Sequence, residues 1–316
     1  MKLQTNLKLQ KQPLNAINYH SKILLLGSCF SENIGQKLAH LKFQSKVNPS
    51  GILFHPQAIE TFILNSINKK KHTDEDVFYF NERWHNFDVH SSFSNPNKSV
   101  LLETLNSITQ ESNAALKEAS HLIITLGTAW VYRYIASDQI VANCHKIEQK
   151  KFLKELLSID EVCESLEAII ALVRSINPNS SILFTISPVR HLKDGFVENT
   201  QSKSHLISGI HKVVDAKNNL YYFPSYELMM DELRDYRFYE EDMVHPNQIA
   251  INYIWEKFCA TWMDAATEKT MLEIQGIQRD IAHRPFNENS EQHRQFLNAL
   301  TAKKEAISKT LPFIKF

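Results

Sequence analysis

Short apolar runs alternate along this chain with longer amphipathic segments. Four runs have the length of a strand and end at polar residues, glycine or proline: 23–26, 122–126, 182–186 and 220–223. Continuous apolar runs of this length are typical of strands buried on both faces, as in a parallel sheet. The intervening segments have helical periodicity: 32–41, 57–67, 100–119, 159–176, 202–216 and 248–266. This alternation predicts an α/β domain built on a doubly wound parallel sheet.

Two regions depart from the alternation. Residues 74–94 are rich in aromatic side chains and predict an insertion at the carboxyl edge of the sheet. Residues 268–316 are charged and helix-prone, with a break at Arg284-Pro285. We therefore expect an α/β domain over residues 1–267 and a C-terminal helical appendage over residues 268–316 that packs on it.

Charge and cysteine content restrict the class of protein. Lys+Arg and Asp+Glu each number 35, so electrostatics favour neither nucleic acid nor an anionic membrane as partner. The four cysteines are widely spaced without a CxxC pair, which excludes a zinc ribbon and favours a reducing compartment. The N-terminal segment lacks the apolar core of a signal peptide, and no apolar run approaches the ~20 residues of a membrane helix. We expect a cytoplasmic protein without a membrane span, a metal or a cofactor; the number of subunits stays open.

Gly27-Ser28-Cys29 follows the first predicted strand directly. In a parallel α/β sheet, ligands bind beyond the carboxyl ends of the strands, where a glycine permits a tight turn. A helix that starts there beside a histidine would lower the pKa of a cysteine, so we expect Cys29 to be a reactive thiol. Three interpretations stay open: Cys29 is a nucleophile, Ser28 is, or Ser28 caps the helix while Cys29 is a small buried hydrophobic residue.

Asp242-Met243-Val244-His245 lies near the end of the predicted α/β domain, just before Pro246. This spacing lets the carboxylate hold one ring nitrogen of the histidine while the other faces a nucleophile. With Ser28 or Cys29, the chain offers nucleophile, carboxylate and base in that order. The alternative is a surface histidine beside an aspartate that caps a helix.

These motifs resemble those of the SGNH/GDSL hydrolases, in which a serine follows the first strand in Gly-Asp-Ser-Leu and Asp-x-x-His comes late. Gly27-Ser28-Cys29-Phe30 is similar to the motif that names the GSCFA family, grouped with that superfamily. Four further stretches resemble the family: Asn48-Pro49-Ser50-Gly51, Asn143-Cys144-His145-Lys146, Ser187-Pro188-Val189-Arg190-His191 and Asp235-Tyr236-Arg237-Phe238-Tyr239. Alignment with Gly-Asp-Ser-Leu places Cys29 at the position of the serine and Ser28 at that of the aspartate. We therefore expect His245 within hydrogen-bond reach of Cys29 or Ser28.

The resemblance also implies an oxyanion hole, formed by the N–H of the nucleophile, a glycine and an asparagine. Gly51 matches the glycine. Ala129 stands where the superfamily has the asparagine, so Asn143 and His145 are candidates for the missing donor. Asn143 is equally well explained as a satisfied loop amide.

Three polar residues after the run 182–186 are candidates for substrate binding. Arg190 could hold a carboxylate or phosphate with two hydrogen bonds, and Asn199 and Lys203 lie close behind it in the chain. The alternative for Arg190 is a salt bridge to the acidic residues at 231, 232 or 235.

Together these residues predict a hydrolase that cleaves a small-molecule or glycan ester or thioester through an acyl-enzyme on Cys29 or Ser28. His245 would move the proton and Asp242 would orient it. An acyl or acetyl transferase with the same site stays open. So does a ligand-binding module that has lost the chemistry, which the departures at Ser28 and Ala129 favour. The motifs specify neither the acyl group nor the leaving group.

Overall fold

The structure, a computed structural model, describes residues 5–316, so the first four residues of the predicted domain 1–267 lie outside it. Its centre is a five-stranded parallel sheet. From edge to edge, the strands are β10 (Leu220–Phe223), β9 (Ser181–Ile186), β5 (His121–Leu126), β1 (Lys22–Gly27) and β2 (Gln44–Val47). From β1 the chain adds β2 on one side of the sheet and then β5, β9 and β10 on the other side. The sheet is therefore doubly wound, and the direction in which strands are added reverses between β1 and β5. The predicted fold class is confirmed.

The sequence predicts four of these five strands and misses β2. This strand reads Gln44-Ser45-Lys46-Val47 and lies at the edge of the sheet, where it pairs with β1. Its four residues are all partly exposed. An edge strand of this kind needs no continuous apolar run, so the signal that marks the central strands is lacking.

Helices cover both faces of the sheet. One face carries α1 (Cys29–His40), α7 (Gln248–Trp262), α8 (Ala265–Ala282) and α9 (Glu291–Thr310). The other carries α2 (Pro56–Ile67), α3 (Lys98–Glu118), α4 (Ile159–Ile176) and α5 (Phe196–Val213). Alternate side chains of β1 serve two cores, with Leu25 in the first and Leu24 and Leu26 in the second. The central strands are therefore buried on both faces, as their apolar sequences predict.

Two helices have ends that differ from the predicted ones. Helix α5 begins six residues earlier than predicted, because its first turn carries the exposed Phe196 and Val197 and so lacks apolar periodicity. Helix α7 ends at Trp262, since Asp264 accepts the N–H of Thr267 at 2.7 Å and starts α8. A single turn, α6 (Ser225–Glu227), follows β10 and continues into a π-helical turn.

Two small antiparallel sheets extend from the carboxyl edge. The aromatic-rich region contains the hairpin of β3 (Phe78–Phe80) and β4 (Arg83–His85). Next to it, the N–H of His90 donates to the carbonyl of Ser50, just beyond β2, so this insertion lies at the predicted edge. The second sheet consists of β6 (Trp130–Tyr134), β7 (Gln139–Val141) and β8 (Phe152–Leu156). The sequence does not predict it, because these strands are short and largely half-exposed.

The C-terminal helices belong to the same packed body as the sheet. The predicted break at Arg284-Pro285 falls between α8 and α9, and both helices contribute side chains to the core that α1 and α7 form, including Ile277 and Ile307. Helix α8 runs through residue 268, and the domain boundary predicted there stays a prediction. Within residues 5–316, no helix combines the length and apolar character needed to cross a membrane.

Candidate active site

The ends of the three central strands converge on a buried lysine. Lys203 of α5 is 1% exposed, and its Nζ donates to the carbonyls of Gly127 at 2.7 Å and Ser187 at 2.8 Å. Gly127 follows β5 and Ser187 follows β9. Cys29 lies just beyond β1, and electrostatic interaction between Cys29 and Lys203 shifts the pKa of each. The site therefore lies where the strand order reverses, the place where ligands bind in such sheets.

A glycine turn brings the chain from β1 into α1. Gly27 has a φ of +127°, and a Cβ there would lie 2.0 Å from the carbonyl oxygen of Thr125, so only glycine fits. The next N–H, that of Ser28, donates to the same carbonyl at 3.0 Å. Gly27 and Thr125 are register partners in β1 and β5. The turn therefore starts α1 beside the end of β5, which Gly127 follows.

Ser28 is a helix cap in this structure. Its side chain is fully buried, and its Oγ accepts the N–H of Phe30 at 3.3 Å as the N-cap of α1. This cap satisfies one of the N–H groups that the first turn of a helix leaves unpaired. The geometry agrees with the capping interpretation of Ser28, while Cys29, the first residue of α1, is a partly exposed residue with a free thiol.

The pKa of Cys29 is raised, and the expectation of a lowered value is wrong. Burial is the main cause, and the negative charge of Glu32 adds to it. The N–H groups of Cys29 and Phe30, which donate to the sulfur, and the charge of Lys203 act in the opposite direction without reversing the shift. The sequence reveals the helix start but not the burial of the thiol, which outweighs it.

Burial lowers the pKa of Lys203 to about 7, against the opposing effect of a charged Cys29, so both the ammonium and the neutral amine are accessible near neutral pH. A neutral amine has two N–H groups, which the carbonyls of Gly127 and Ser187 accept. The hydrogen bonds of residues 5–316 provide no acceptor for a third, as an ammonium would require. The lysine thus ties the ends of β5 and β9 together, and its substrate-binding role stays a prediction.

Asp242 and His245 form the predicted pair. The Oδ2 atom of Asp242 lies 2.6 Å from Nδ1 of His245, and Oδ1 accepts the N–H groups of Val244 and His245, both at 2.9 Å. The N–H of His245, its ring and the N–H of Val244 together lower the pKa of Asp242 to about 2. The carboxylate is therefore ionised and fixes the orientation of the ring, which leaves Nε2 open.

The predicted contact between His245 and the nucleophile is absent. Among the hydrogen bonds of residues 5–316, none joins His245 to Cys29 or Ser28. The His245 side chain is 51% exposed, on a surface turn that precedes α7. Its charge nevertheless acts on His191, as does that of Lys203, and Lys203 in turn acts on Cys29. The pair and the thiol thus belong to one cluster of titratable groups.

Arg190 fastens the turn that carries this pair. Its Nη2 donates to the carbonyl of Met243 at 3.0 Å, and its guanidinium lies 5.2 Å from the ring centroid of Tyr239. The ion pairs of the described residues do not join it to Asp231 or Asp235. The structure therefore gives Arg190 a positioning contact on this turn, and its substrate-binding role stays a prediction.

His191 belongs to the site, although the sequence does not single it out. Its Nε2 is buried without a hydrogen-bond partner among residues 5–316, and it lies 3.2 Å from where a Cβ of Gly127 would be. Its ring meets Phe54 edge-on at 5.1 Å, and its N–H donates to Oδ1 of Asn199 at 2.9 Å. Burial, with the charges of Lys203 and His245, lowers the pKa of His191 to about 3. Its place in the stretch after β9 that resembles GSCFA proteins is the signal that could have found it.

Asn199 is 3% exposed and serves this histidine. Because its carbonyl oxygen accepts the N–H of His191, Asn199 positions a neighbour, and its substrate-binding role stays a prediction.

The loop after β2 packs tightly beside the glycine turn. The N–H of Gly51 donates to the carbonyl of Asn48 at 2.7 Å. A Cβ at Gly51, whose φ is +80°, would lie 2.3 Å from Cβ of His90. Oδ1 of Asn48 accepts the N–H of Gly27 at 2.9 Å, while its buried Nδ2 has no partner among the described residues. Gly51 therefore shapes the turn, and its role as a donor stays a prediction.

The other two predicted oxyanion donors have partners of their own. Oδ1 of Asn143 accepts the N–H of His145 at 2.8 Å. Nε2 of His145 lies 2.7 Å from the carbonyl of Asn86, and Nδ1 lies 3.2 Å from Nδ1 of His85 in the aromatic insertion. The geometry agrees with a satisfied loop amide for Asn143 and gives no support to His145 as a donor.

Within residues 5–316, no group of three or more His, Cys, Asp or Glu side chains is arranged to hold a metal ion. All four cysteines are free thiols.

Comparison with known families gives two matches. Residues 22–258, which include the glycine turn and the Asp242–His245 pair, match the model of the GSCFA family. Residues 274–316 match the model of the GSCFA domain protein, C-terminal domain. No curated protein matches the chain.

Proposed function

This chain belongs to the GSCFA family, and we propose that it is a hydrolase of the SGNH type that forms an acyl-enzyme on Cys29. One observation carries the proposal. Ser28 is buried and used as a helix cap, whereas Cys29, a partly exposed residue, begins α1 with its thiol free, in the cluster of titratable groups that also includes the Asp242–His245 pair.

In the proposed reaction, the sulfur of Cys29 attacks the carbonyl carbon of an ester or thioester. The thiol proton moves to Nε2 of His245, and the electron pair of the C=O bond moves onto the oxygen. Collapse of this intermediate expels the alcohol or thiol, which takes the proton from His245. Water then repeats the sequence and releases the acid. Asp242 keeps Nδ1 of His245 protonated, so that Nε2 is the atom that accepts the proton.

The substrate class follows from the chemistry of such a site: a small-molecule or glycan ester, or a thioester. A transferase would use the same acyl-enzyme and differ in its acceptor. The four free thiols suit a reducing compartment, and we place the protein in the cytoplasm.

A ligand-binding module without catalysis is the second candidate. The raised pKa of Cys29 and the missing hydrogen bond between Cys29 and His245 favour it, because both weaken the activation of the thiol. Such a protein would bind in the same cleft without forming a covalent intermediate.

The test follows the fate of an acyl group. Incubation with p-nitrophenyl acetate should give a burst of p-nitrophenol and an acetyl group that peptide mapping locates on Cys29. Cys29→Ala should abolish the burst, while Cys163→Ser, a change at a thiol of α4, should leave it intact. Ser28→Ala should keep labelling at Cys29 and lose roughly 0.5–2 kcal/mol of stability as a cap.

Two results would contradict the proposal. A fluorophosphonate adduct on Ser28 would move the nucleophile to the serine. Slow binding of esters without any acylated residue would favour the binding module.

A further inference from the structure

We infer that His191 donates its Nε2–H to the oxyanion formed when Cys29 attacks a carbonyl. The inference rests on the proposed function, since it concerns the intermediate of that reaction. It assigns His191 a role that follows from its own surroundings in the fold.

His191 has a buried ring nitrogen, Nε2, without a hydrogen-bond partner among residues 5–316. Buried polar atoms in folded proteins nearly always have a partner, and an unpaired one costs about 1–3 kcal/mol. A ligand that accepts a hydrogen bond from Nε2 of His191 would remove this cost.

His191 also lies beside the ends of the strands that carry the proposed nucleophile. Its Nε2 is 3.2 Å from where a Cβ of Gly127 would be, so a side chain at Gly127 would crowd this atom. Gly127 follows β5, the neighbour of β1, and its carbonyl accepts a hydrogen bond from Nζ of Lys203. The charge of Lys203 acts on both Cys29 and His191, so we expect a carbonyl bonded to the sulfur of Cys29 to come within reach of this donor.

His191 is held in place and is neutral near pH 7. Its ring packs edge-on against Phe54, and Asn199 accepts its backbone N–H. Burial, helped by electrostatic interaction with Lys203 and His245, lowers the pKa of the imidazole to about 3. A neutral imidazole fixed before the reaction is a donor that needs no reorganisation.

The experiment compares two reactions at the same sulfur. p-Nitrophenyl acetate acylates Cys29 through an oxyanion, whereas iodoacetamide alkylates it by displacement of iodide, in which no charge develops on a carbonyl oxygen. His191→Phe keeps the ring and its packing on Phe54 but removes the donor. We expect it to slow acylation about 10²–10³-fold and to leave alkylation within about twofold.

A conservative variant provides the rescue. The amide nitrogen of His191→Gln can reach the position of Nε2, so this variant should regain most of the acylation rate. His20→Phe, the same change at an exposed histidine outside the proposed site, is the matched control and should acylate like the wild type.

Each outcome decides between the two claims. Equal acylation by His191→Phe and the wild type, with Cys29 acylated in both, overturns the inference and leaves the proposed function intact. Parallel loss of acylation and alkylation in His191→Phe also overturns it, because a change at the sulfur itself would then explain the effect. A wild type that alkylates at Cys29 but never acylates rejects the proposed function instead.

Discussion

At the residue scale, the candidate site depends on neutral buried groups more than on ion pairs. Lys203 and His191 are both buried, and both have pKa values lowered by burial. Lys203 links the ends of β5 and β9, and His191 fills the space beyond Gly127. The Asp242–His245 pair, in contrast, is half-exposed on a turn. The interior of the site is therefore rigid, and the proposed base lies on its most accessible part.

Arg190 holds that exposed turn, and its replacement should affect catalysis more than stability. Arg190→Lys keeps the charge but loses the planar group that lies on Tyr239 and donates to the carbonyl of Met243. We expect the rate of acyl transfer to fall about 10–100-fold with little change in KM, because a base displaced by about 1 Å transfers protons poorly. Steady-state kinetics with p-nitrophenyl acetate and a thermal melt measure both effects.

The matched control for Arg190 is Arg133→Lys. Arg133 pairs with Glu155 between β6 and β8, at 2.9 Å, and plays no part in the proposed site. Equal rates for Arg190→Lys and Arg133→Lys would show that the turn keeps its place without the guanidinium.

At the element scale, the sequence predicts the strands that are buried on both faces, because these have continuous apolar sequences. The four central strands and most helices have strong apolar signals, whereas the edge strand β2 and the sheet of β6, β7 and β8 are half-exposed and give none. For the site, the motifs predict the glycine turn and the Asp242–His245 pair. They include His191 in a family-like stretch without giving it a role, because its role depends on how α5 and the end of β5 pack around it. The raised pKa of Cys29 likewise depends on packing.

Two helical glycines should respond oppositely to the same change. A Cβ at Gly276, within α8, would meet no atom within 4 Å, so Gly276→Ala should gain helix propensity and stabilise the protein by about 0.5–1 kcal/mol. A Cβ at Gly209, in α5, would lie 2.5 Å from Cγ1 of Val162 in α4, so Gly209→Ala should destabilise it by about 1–3 kcal/mol. Urea unfolding measures both.

A second substitution separates the clash at Gly209 from other causes. Val162→Ala alone should be destabilising, because it leaves a cavity between α4 and α5. In the double variant Gly209→Ala with Val162→Ala, the new methyl group has room. The double variant should therefore lose less free energy of unfolding than the two single variants lose in sum. Strict additivity would rule out the contact between these helices as the cause.

At the scale of the whole molecule, the C-terminal helices and the α/β sheet share one core. Side chains of α8 and α9 pack with those of α1 and α7, although a separate family model matches residues 274–316. We therefore expect both regions to unfold in one transition, wherever the boundary between them is drawn. Circular dichroism and tryptophan fluorescence should give coincident urea transitions, and a separate early loss of helix would contradict this.

Acid should destabilise the protein well before its carboxylates titrate. Burial lowers the pKa of His55 and His145 to about 4 and that of His191 to about 3, whereas an unfolded histidine titrates near about 6.5. Between these values, the unfolded chain binds protons that the folded protein does not, so the free energy of unfolding rises with pH across this window. The contribution is fully present above about pH 6.5 and is lost as the pH falls toward 4, on the order of a few kcal/mol for each buried histidine.

Urea midpoints at a series of pH values from 7 to 4.5 should therefore decrease steadily. His191→Gln, which has no titrating group at that position, should show a shallower decrease than the wild type, while His20→Gln, at an exposed histidine, should not. A midpoint that is constant between pH 7 and 5 would mean that these histidines are protonated, or open to water, in the folded protein.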